Sequence, residues 1–213
     1  VPSANVSGEK PAANALDAKG YFEGKAAFII DGKISSNIPS TIVLIKDGNI
    51  SLVRQGVISY DELKETYENA KMTISLGSDH GGFLQKEKIK DHLAARGFGV
   101  LDFGTDSLAS CDYPIFGKQA AQAVMDGKSD LGIVVCTSGE GISIAANKVP
   151  GIRCGIGYDD VVTQKMREHN NANVIAFGAK YMKDEDVLRR VDIFLSEKFS
   201  VEAKHHRRVD AIE

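Results

Sequence analysis

Short apolar runs alternate with helical patterns from residue 72 to residue 213, and this alternation constrains the fold more than any other feature of the chain. Strands are predicted at 73–78, 99–103, 131–135, 153–157 and 174–177. Helices are predicted at 83–96, 114–126, 160–169 and 184–198, and a further helix is predicted to begin with residues 142–147. Parallel strands need crossover helices on both faces of the sheet. The pattern therefore predicts an α/β domain over residues 72–213, with a doubly wound, five-stranded parallel sheet of the Rossmann-like type.

The first 70 residues follow a different pattern. Short β-type runs at 27–30, 41–45 and 50–54 are separated by Asp31-Gly32 and Asp47-Gly48, which are turn signals. Ser59 and Glu62 have capping-box spacing and predict the start of a charged linking helix. We predict a small N-terminal α+β appendage over 1–70, and because the chain starts with Val1 we expect it to begin inside a longer gene product.

Charge and cysteine usage restrict the partners. The formal net charge of -3 offers no basic field for nucleic acid, and no apolar run approaches the roughly 18 residues of a membrane span. The chain has three cysteines, Cys111, Cys136 and Cys154. Their odd number and wide spacing argue against a disulfide framework. We expect a cytoplasmic protein that acts on a small metabolite, without nucleic-acid or membrane partners.

Ligands of doubly wound sheets bind beyond the carboxyl ends of the strands, where three polar motifs of this chain are expected. These are 78–82, with Asp79 and His80, then 136–141, which opens on Cys136, and the helix end 167–171, with His169. Taken singly, Asp79 is an ordinary helix cap, His80 a surface residue and Cys136 a small buried side chain. The second motif is more specific, because its glycines and hydroxyls precede a helix and leave N–H donors to face an anion. It indicates a phosphate cradle or an oxyanion hole, with a thiol beside it.

Five motifs together resemble ribose-5-phosphate isomerase B and its relatives that isomerise hexose 6-phosphates. In order along 72–213 they are Ser78-Asp79-His80-Gly81-Gly82, Asp112-Tyr113-Pro114, Cys136-Thr137-Ser138-Gly139-Glu140-Gly141-Ile142-Ser143-Ile144-Ala145-Ala146-Asn147-Lys148, Gly151-Ile152-Arg153 and Arg167-Glu168-His169-Asn170. The resemblance implies an aldose–ketose isomerisation through a cis-enediolate, with no metal and no organic cofactor.

The resemblance also implies a role for each site residue. Cys136 moves the proton between C1 and C2, and Ser138 assists at the sugar oxygens. His169 opens the furanose ring with help from Tyr113. The enediolate is held by backbone N–H groups at Thr137, Gly139, Glu140 and Gly141. The sugar hydroxyls are bound by Asp79 and Asn170, and the phosphate by His80, Lys180, Lys204 and Arg208.

Several positions depart from the family pattern. The family has arginine at the positions of Lys180 and Lys204, and lysine lacks the bidentate fork of arginine. Thr137 and Glu140 stand where glycine and an apolar residue are usual. The alternatives to a pentose phosphate isomerase are an allose or galactose 6-phosphate isomerase and a catalytically weak sugar-phosphate or nucleotide sensor. Taken alone, residues 204–208 are a solvated basic tail.

The expected assembly is a homodimer with shared active sites, and a tetramer is the alternative. Cys136 and Asp79 of one chain are expected to meet His169, Asn170 and Lys180 of its partner, because His169 and Asn170 end a helix rather than a strand.

The front segment resembles the carboxyl-terminal part of threonylcarbamoyl-AMP synthase domains. The residues that carry this resemblance are Pro2-Ser3-Ala4-Asn5-Val6-Ser7-Gly8, Asp31-Gly32, Pro39-Ser40-Thr41-Ile42-Val43 and Arg54-Gln55-Gly56. The larger amino-terminal portion of that family is missing from this chain. We therefore predict an inactive remnant, with residual nucleotide binding as the alternative.

Overall fold

The protein forms two compact units, Val1–Glu65 and Thr66–Glu213, in a computed structural model that describes residues 8–10, 12–26 and 38–212. Three features predicted from the sequence lie outside the described residues. They are the strand at 27–30, the turn at Asp31-Gly32 and residues 2–7 of the front motif.

The front unit contains a helix and a β-hairpin. Helix α1 (Ala15–Phe22), which the sequence analysis did not predict, begins where the Asn14 side chain accepts a hydrogen bond from Asp17 N at 2.9 Å. Strands β1 (Ile42–Lys46) and β2 (Asn49–Arg54) pair antiparallel. Asp47 and Gly48 join them with φ of 50° and 73°, the left-handed geometry of a tight hairpin turn.

Helix α2 (Tyr60–Asn69) confirms the start predicted at Ser59, whose hydroxyl accepts a hydrogen bond from Glu62 N at 3.1 Å. Near the other end of α2, Asn69 Nδ2 donates to Arg96 O at 2.9 Å.

The second unit is built on one parallel sheet, which confirms the predicted fold class. Its strands are β3 (Thr73–Ser78), β4 (Gly99–Asp102), β5 (Leu131–Cys136), β6 (Cys154–Ile156) and β7 (Val174–Gly178). Their order is β4-β3-β5-β7-β6, with every neighbouring pair parallel. The helices are α3 (Phe83–Ala95), α4 (Tyr113–Met125), α5 (Glu140–Ala146), α6 (Asp160–Asn170), α7 (Asp184–Ser196) and α8 (Ala203–Asp210).

Both faces of the sheet are buried, as the near-continuous apolar strands require. Because side chains alternate along a strand, Ile133 and Val135 of β5 pack on one side with Ile89 of α3 and Val187 of α7. Val134 and Cys136 pack on the other side with helices α4 and α5. Cys136 is thus the last residue of the most central strand, at the carboxyl edge of the sheet.

The carboxyl-terminal basic stretch forms a helix that is anchored on the domain, whereas the stretch taken alone predicted a solvated tail. Helix α8 turns His205 and Val209, four residues apart, inward, where they are 2% and 7% exposed. The cationic residues Lys204 and Arg208 remain exposed. The buried pair anchors α8, and its spacing is the helical i, i+4 repeat.

Candidate active site

Asp79 follows β3 directly and is buried, with 5% exposure. One of its carboxylate oxygens, Oδ1, accepts a hydrogen bond from Gly82 N at 3.0 Å. This bond closes the turn that precedes α3, whose N-cap is Gly82 and which has no side-chain cap, so the capping role considered for Asp79 is wrong. The carboxylate also lies at the carboxyl edge of the sheet, where it can face a ligand.

Cys136 lies at the base of the loop that leads into α5. Its Sγ accepts a hydrogen bond from Gly139 N at 3.1 Å, and the side chain is 4% exposed. Gly139 has a φ of +83°, which favours glycine because a Cβ is strained in that conformation. This conformation directs the Gly139 N–H at the Cys136 sulfur.

The start of α5 presents polar groups above this sulfur. Ser138 Oγ accepts a hydrogen bond from Glu140 N at 3.3 Å, and the first intrahelical bond runs from Ser143 N to Gly139 O at 3.2 Å. The earlier N–H groups of the turn have no intrahelical acceptor and are directed out of the helix end. Tyr113 lies against this turn, because a Cβ on Gly141 would come within 2.7 Å of the Tyr113 ring.

A groove of about 430 Å³ brings His80, Thr137 and Lys180 together within one chain. His80 is held by Cys111, whose backbone N and O lie 3.1 and 3.2 Å from His80 Nδ1. Lys180 N donates to Thr137 O at 3.1 Å, which ties the loop after β7 to the loop after β5. Lys180 therefore lies beside the His80 of its own chain, whereas the sequence analysis expected it in the site of the partner.

Two residues of this region were missed by the sequence analysis. Lys88 of α3 lines the same groove and forms an ion pair with Asp184 at the start of α7. Tyr158 lies with Ser138 and Glu140 along a second, open groove of about 690 Å³ on the other side of the loop. Lys88 could have been found from the sequence, because it lies in the first two turns of the helix that follows Asp79 and His80.

His169 and Asn170 lie at the opposite edge of the sheet. They end α6, which starts beyond the carboxyl end of β6 and returns to the amino end of β7. Arg153, just before β6, donates from Nε to Asn170 O at 3.1 Å, which fixes the helix end beside the strand starts. Within the described part of the chain, no hydrogen bond or ring contact joins His169 or Asn170 to the loop 136–141.

Helix α8 lies beside this end of α6. The His205 ring stacks on the His169 ring, while Lys204 pairs with Glu202 at 2.6 Å and Arg208 follows one turn later. The candidate residues therefore form two groups in one chain. The strand-end group contains Asp79, His80, Tyr113, Cys136, Thr137, Ser138, Gly139, Glu140, Gly141 and Lys180, and the helix-end group contains His169, Asn170, Lys204 and Arg208.

Among residues 8–10, 12–26 and 38–212, no cluster of three or more His, Cys, Asp or Glu side chains is arranged to hold a metal ion. Over those same residues, no helix has the length and apolar character needed to cross a bilayer.

Comparison with known families decides the relationship of this chain. The sequence model of the family described as Ribose/Galactose Isomerase matches residues 74–212, well over half of the chain. The chain belongs to this family. A second family, described as Telomere recombination, matches residues 1–56. The two matches confirm that the chain combines the two predicted resemblances.

Relatives within the ribose/galactose isomerase family match nearly their full length. The chain is 42% identical over 139 residues to ribose-5-phosphate isomerase B of Escherichia coli (strain K12), covering 65% of this chain and 93% of that protein. It is 38% identical over 142 residues to galactose-6-phosphate isomerase subunit LacB of Clostridium acetobutylicum, covering 66% and 82%.

Solved structures of family members share the fold. Ribose-5-phosphate isomerase B of Clostridium thermocellum is 46% identical, with a TM-score of 0.65 over 66% of this chain and 95% of that one. The Mycoplasma genitalium enzyme, solved with bound ribulose-5-phosphate, is 35% identical, with a TM-score of 0.63 over 66% of this chain and 93% of that one.

Proposed function

We propose that this chain is an aldose–ketose isomerase that interconverts ribose 5-phosphate and ribulose 5-phosphate. The observation that carries the proposal is the buried Cys136 thiol, which accepts the Gly139 N–H at the mouth of α5. The relatives named ribose-5-phosphate isomerase B supply the substrate class. Isomerisation needs a base near a carbonyl and donors for the oxyanion that forms, and this loop offers both.

Cys136 is the base in this proposal. The thiolate takes the proton from C2 of the open-chain aldose, and the resulting thiol returns it to C1. The proton of the C2 hydroxyl passes to the C1 oxygen, assisted by the Ser138 hydroxyl. The intermediate is a cis-enediolate, whose negative charge faces the backbone N–H groups of residues 137–141 and the Ser138 hydroxyl. Asp79 binds sugar hydroxyls beside the enediolate. Because the same sulfur serves both carbons, the proton stays on one face of the enediolate.

The other two thiols suit this role less well. Burial raises the pKa of the Cys154 thiol to about 12, so that this group stays protonated at neutral pH. Cys111 lies beside His80, with 3.9 Å between its sulfur and His80 Nδ1. All three cysteines are free thiols, which suits a reducing compartment, and a cytoplasmic location is part of the proposal.

The active site is proposed to form between two copies of the chain. Helix α6 has 11 residues, so it is about 16 Å long, and it separates His169 at its end from the carboxyl edge where Cys136 lies. A side chain cannot cover that distance within its own chain. A two-fold axis that brings the helix-end group of one copy to the strand-end group of the other completes the site. His169 then opens the furanose ring with Tyr113, Asn170 binds sugar hydroxyls, and Lys204 and Arg208 join His80 and Lys180 around the phosphate.

A hexose 6-phosphate isomerase is the second candidate. One relative is named galactose-6-phosphate isomerase subunit LacB. Glu140 is exposed at the groove beside the loop, and its carboxylate offers an acceptor for an additional sugar hydroxyl. The sensor alternative rests on Lys180 and Lys204, because two single-point cations hold a phosphate less firmly than two guanidinium forks.

The test is turnover of ribose 5-phosphate, allose 6-phosphate and galactose 6-phosphate by the full chain under identical conditions. We expect the highest kcat/KM with ribose 5-phosphate. Higher kcat/KM with either hexose phosphate would transfer the assignment to that substrate. Binding of all three without turnover by freshly reduced protein would favour the sensor.

The front segment is proposed to be a remnant without synthase activity. We expect a chain lacking residues 1–58 to isomerise ribose 5-phosphate as the full chain does, because it keeps Ser59 and all of α2. A chain lacking residues 1–70 should have a lower Tm, because it also loses the bond from Asn69 Nδ2 to Arg96 O. Turnover and thermal unfolding of the two truncations check this. Threonine- and bicarbonate-dependent ATP consumption by the full chain would contradict the remnant interpretation.

A further inference from the structure

The His169 imidazole rests on a second, buried imidazole. The ring centroids of His169 and His205 are 4.2 Å apart and their planes differ by 10°, which is a parallel stack. His205, on α8, is 2% exposed, whereas the His169 side chain is 38% exposed. One face of the exposed ring is therefore covered by a ring that is fixed in the interior.

Burial of the His205 side chain lowers the stability of the fold. Neither of its ring nitrogens has a hydrogen-bond partner among residues 8–10, 12–26 and 38–212. A buried polar atom without a partner destabilises the fold, and an apolar side chain of the same size would avoid this. The ring nitrogens of His205 therefore do not explain its burial, and the contact that involves the ring is its flat face against His169.

The charge state of His205 is set by its surroundings. Burial, followed by the proximity of His169, lowers the pKa of His205, so its ring is neutral at neutral pH. The charged groups around the pair are Glu168 on α6, with 3.9 Å between Glu168 Oε2 and His169 Nε2, and Glu202, Lys204 and Arg208 on or beside α8. A neutral flat ring can cover His169 whether or not His169 carries a proton.

We propose that His205 is a positioning residue that fixes the plane of the His169 ring for proton transfer during opening of the sugar ring, an inference that rests on the proposed function. An exposed histidine at a helix end rotates about its side-chain bonds. A flat ring in van der Waals contact restricts that rotation. Proton transfer to a ring oxygen is directional, so a fixed imidazole plane favours it.

The chemistry of the two substrates separates this role from a structural one. In ring opening, the bond from C1 to the ring oxygen breaks, the C1 hydroxyl loses a proton to become the aldehyde, and the ring oxygen gains a proton. Ribulose 5-phosphate cannot close a furanose, because its C5 oxygen is esterified with phosphate. Exchange of its C1 hydrogen with solvent needs only enediolate formation at Cys136. A residue that acts through His169 should affect conversion of ribose 5-phosphate and spare this exchange.

The experiment compares His205→Leu with His205→Phe in the full chain. Both substitutions remove the ring nitrogens and fill the space, but only phenylalanine keeps a flat face on His169. We expect His205→Leu to lower kcat for ribose 5-phosphate about 10- to 100-fold, with little change in KM, since a catalytic group that is off position by about 1 Å can cost about 100-fold. Deuterium incorporation at C1 of ribulose 5-phosphate in D₂O should stay near the wild-type rate in both variants. His205→Phe should restore most of the conversion.

Each outcome decides the matter. Wild-type conversion by His205→Leu, an equal loss of conversion and exchange, or equal losses in the two variants would each overturn the positioning role. If circular dichroism shows that His205→Phe does not fold, the variant His205→Asn replaces it under the same criteria, because asparagine has a smaller planar amide. A wild-type chain that neither converts ribose 5-phosphate nor exchanges the C1 hydrogen of ribulose 5-phosphate would refute the proposed function itself, which is a distinct result.

Discussion

Cys136→Ala is expected to lower kcat for ribose 5-phosphate by about 10²- to 10⁴-fold, the usual contribution of a positioned general base. The substitution removes the sulfur and leaves a small, solvent-shielded methyl group at the end of β5. Substrate binding rests on other groups, so KM should change little. Steady-state kinetics and C1 hydrogen exchange with ribulose 5-phosphate should both register the loss, because both steps need the thiolate.

Two further variants separate basicity from packing. Cys136→Ser keeps an acceptor for the Gly139 N–H, but a hydroxyl is a far weaker acid than a thiol, so this variant should fold normally and remain almost inactive. Cys154→Ala is the matched control, because Cys154 is a partly buried free thiol whose pKa is raised to about 12. It should retain turnover. A kcat near the wild-type value in Cys136→Ala would remove this residue from the role of base.

The sheet was accessible to sequence analysis because its signals are local. Strands β5 and β7 are nearly continuous apolar runs that are buried on both faces, and glycine or proline marks several helix boundaries. The predicted helix at 83–96, for instance, ends at Ala95 in the structure, and Gly97 follows with a φ of +88°. The carboxyl-edge position of Asp79 and Cys136 follows from the same strand assignments.

The two missed helices had weak signals for different reasons. Helix α1 has no buried residues, so it carries no apolar stripe that a sequence pattern would reveal. Helix α8 buries His205 and Val209 between lysine and arginine residues. Because histidine is common both in interiors and at surfaces, its burial cannot be predicted without the neighbouring helix.

The stacking of His205 on His169 was unpredictable for a related reason. Residues 169 and 205 are far apart in sequence, and only the packing of α8 beside α6 brings their rings together. The two-group division of the candidate site, in contrast, follows from chain direction. A crossover helix runs antiparallel to its strands, so residues at its end lie at the edge opposite the strand ends.

That division leads to the prediction with the largest gain of activity. Homodimers of Cys136→Ala and homodimers of His169→Asn are each expected to be nearly inactive, because every shared site lacks either the base or the ring-opening group. A heterodimer has one site with both defects and one site with neither. At complete random exchange of equal amounts, about half of the dimers are mixed, so about a quarter of the wild-type activity should return by this symmetry argument.

The exchange experiment needs a control that rules out recovery by refolding alone. Each variant is taken separately through the same exchange conditions, and native mass spectrometry measures the heterodimer fraction in the mixture. Recovered activity should rise in proportion to that fraction. If exchange is complete and the mixture remains inactive, Cys136 and His169 must act within one chain, and α6 would have to depart from the direction observed between β6 and β7. Proportional recovery instead requires that the helix end of one copy reach the strand end of its partner.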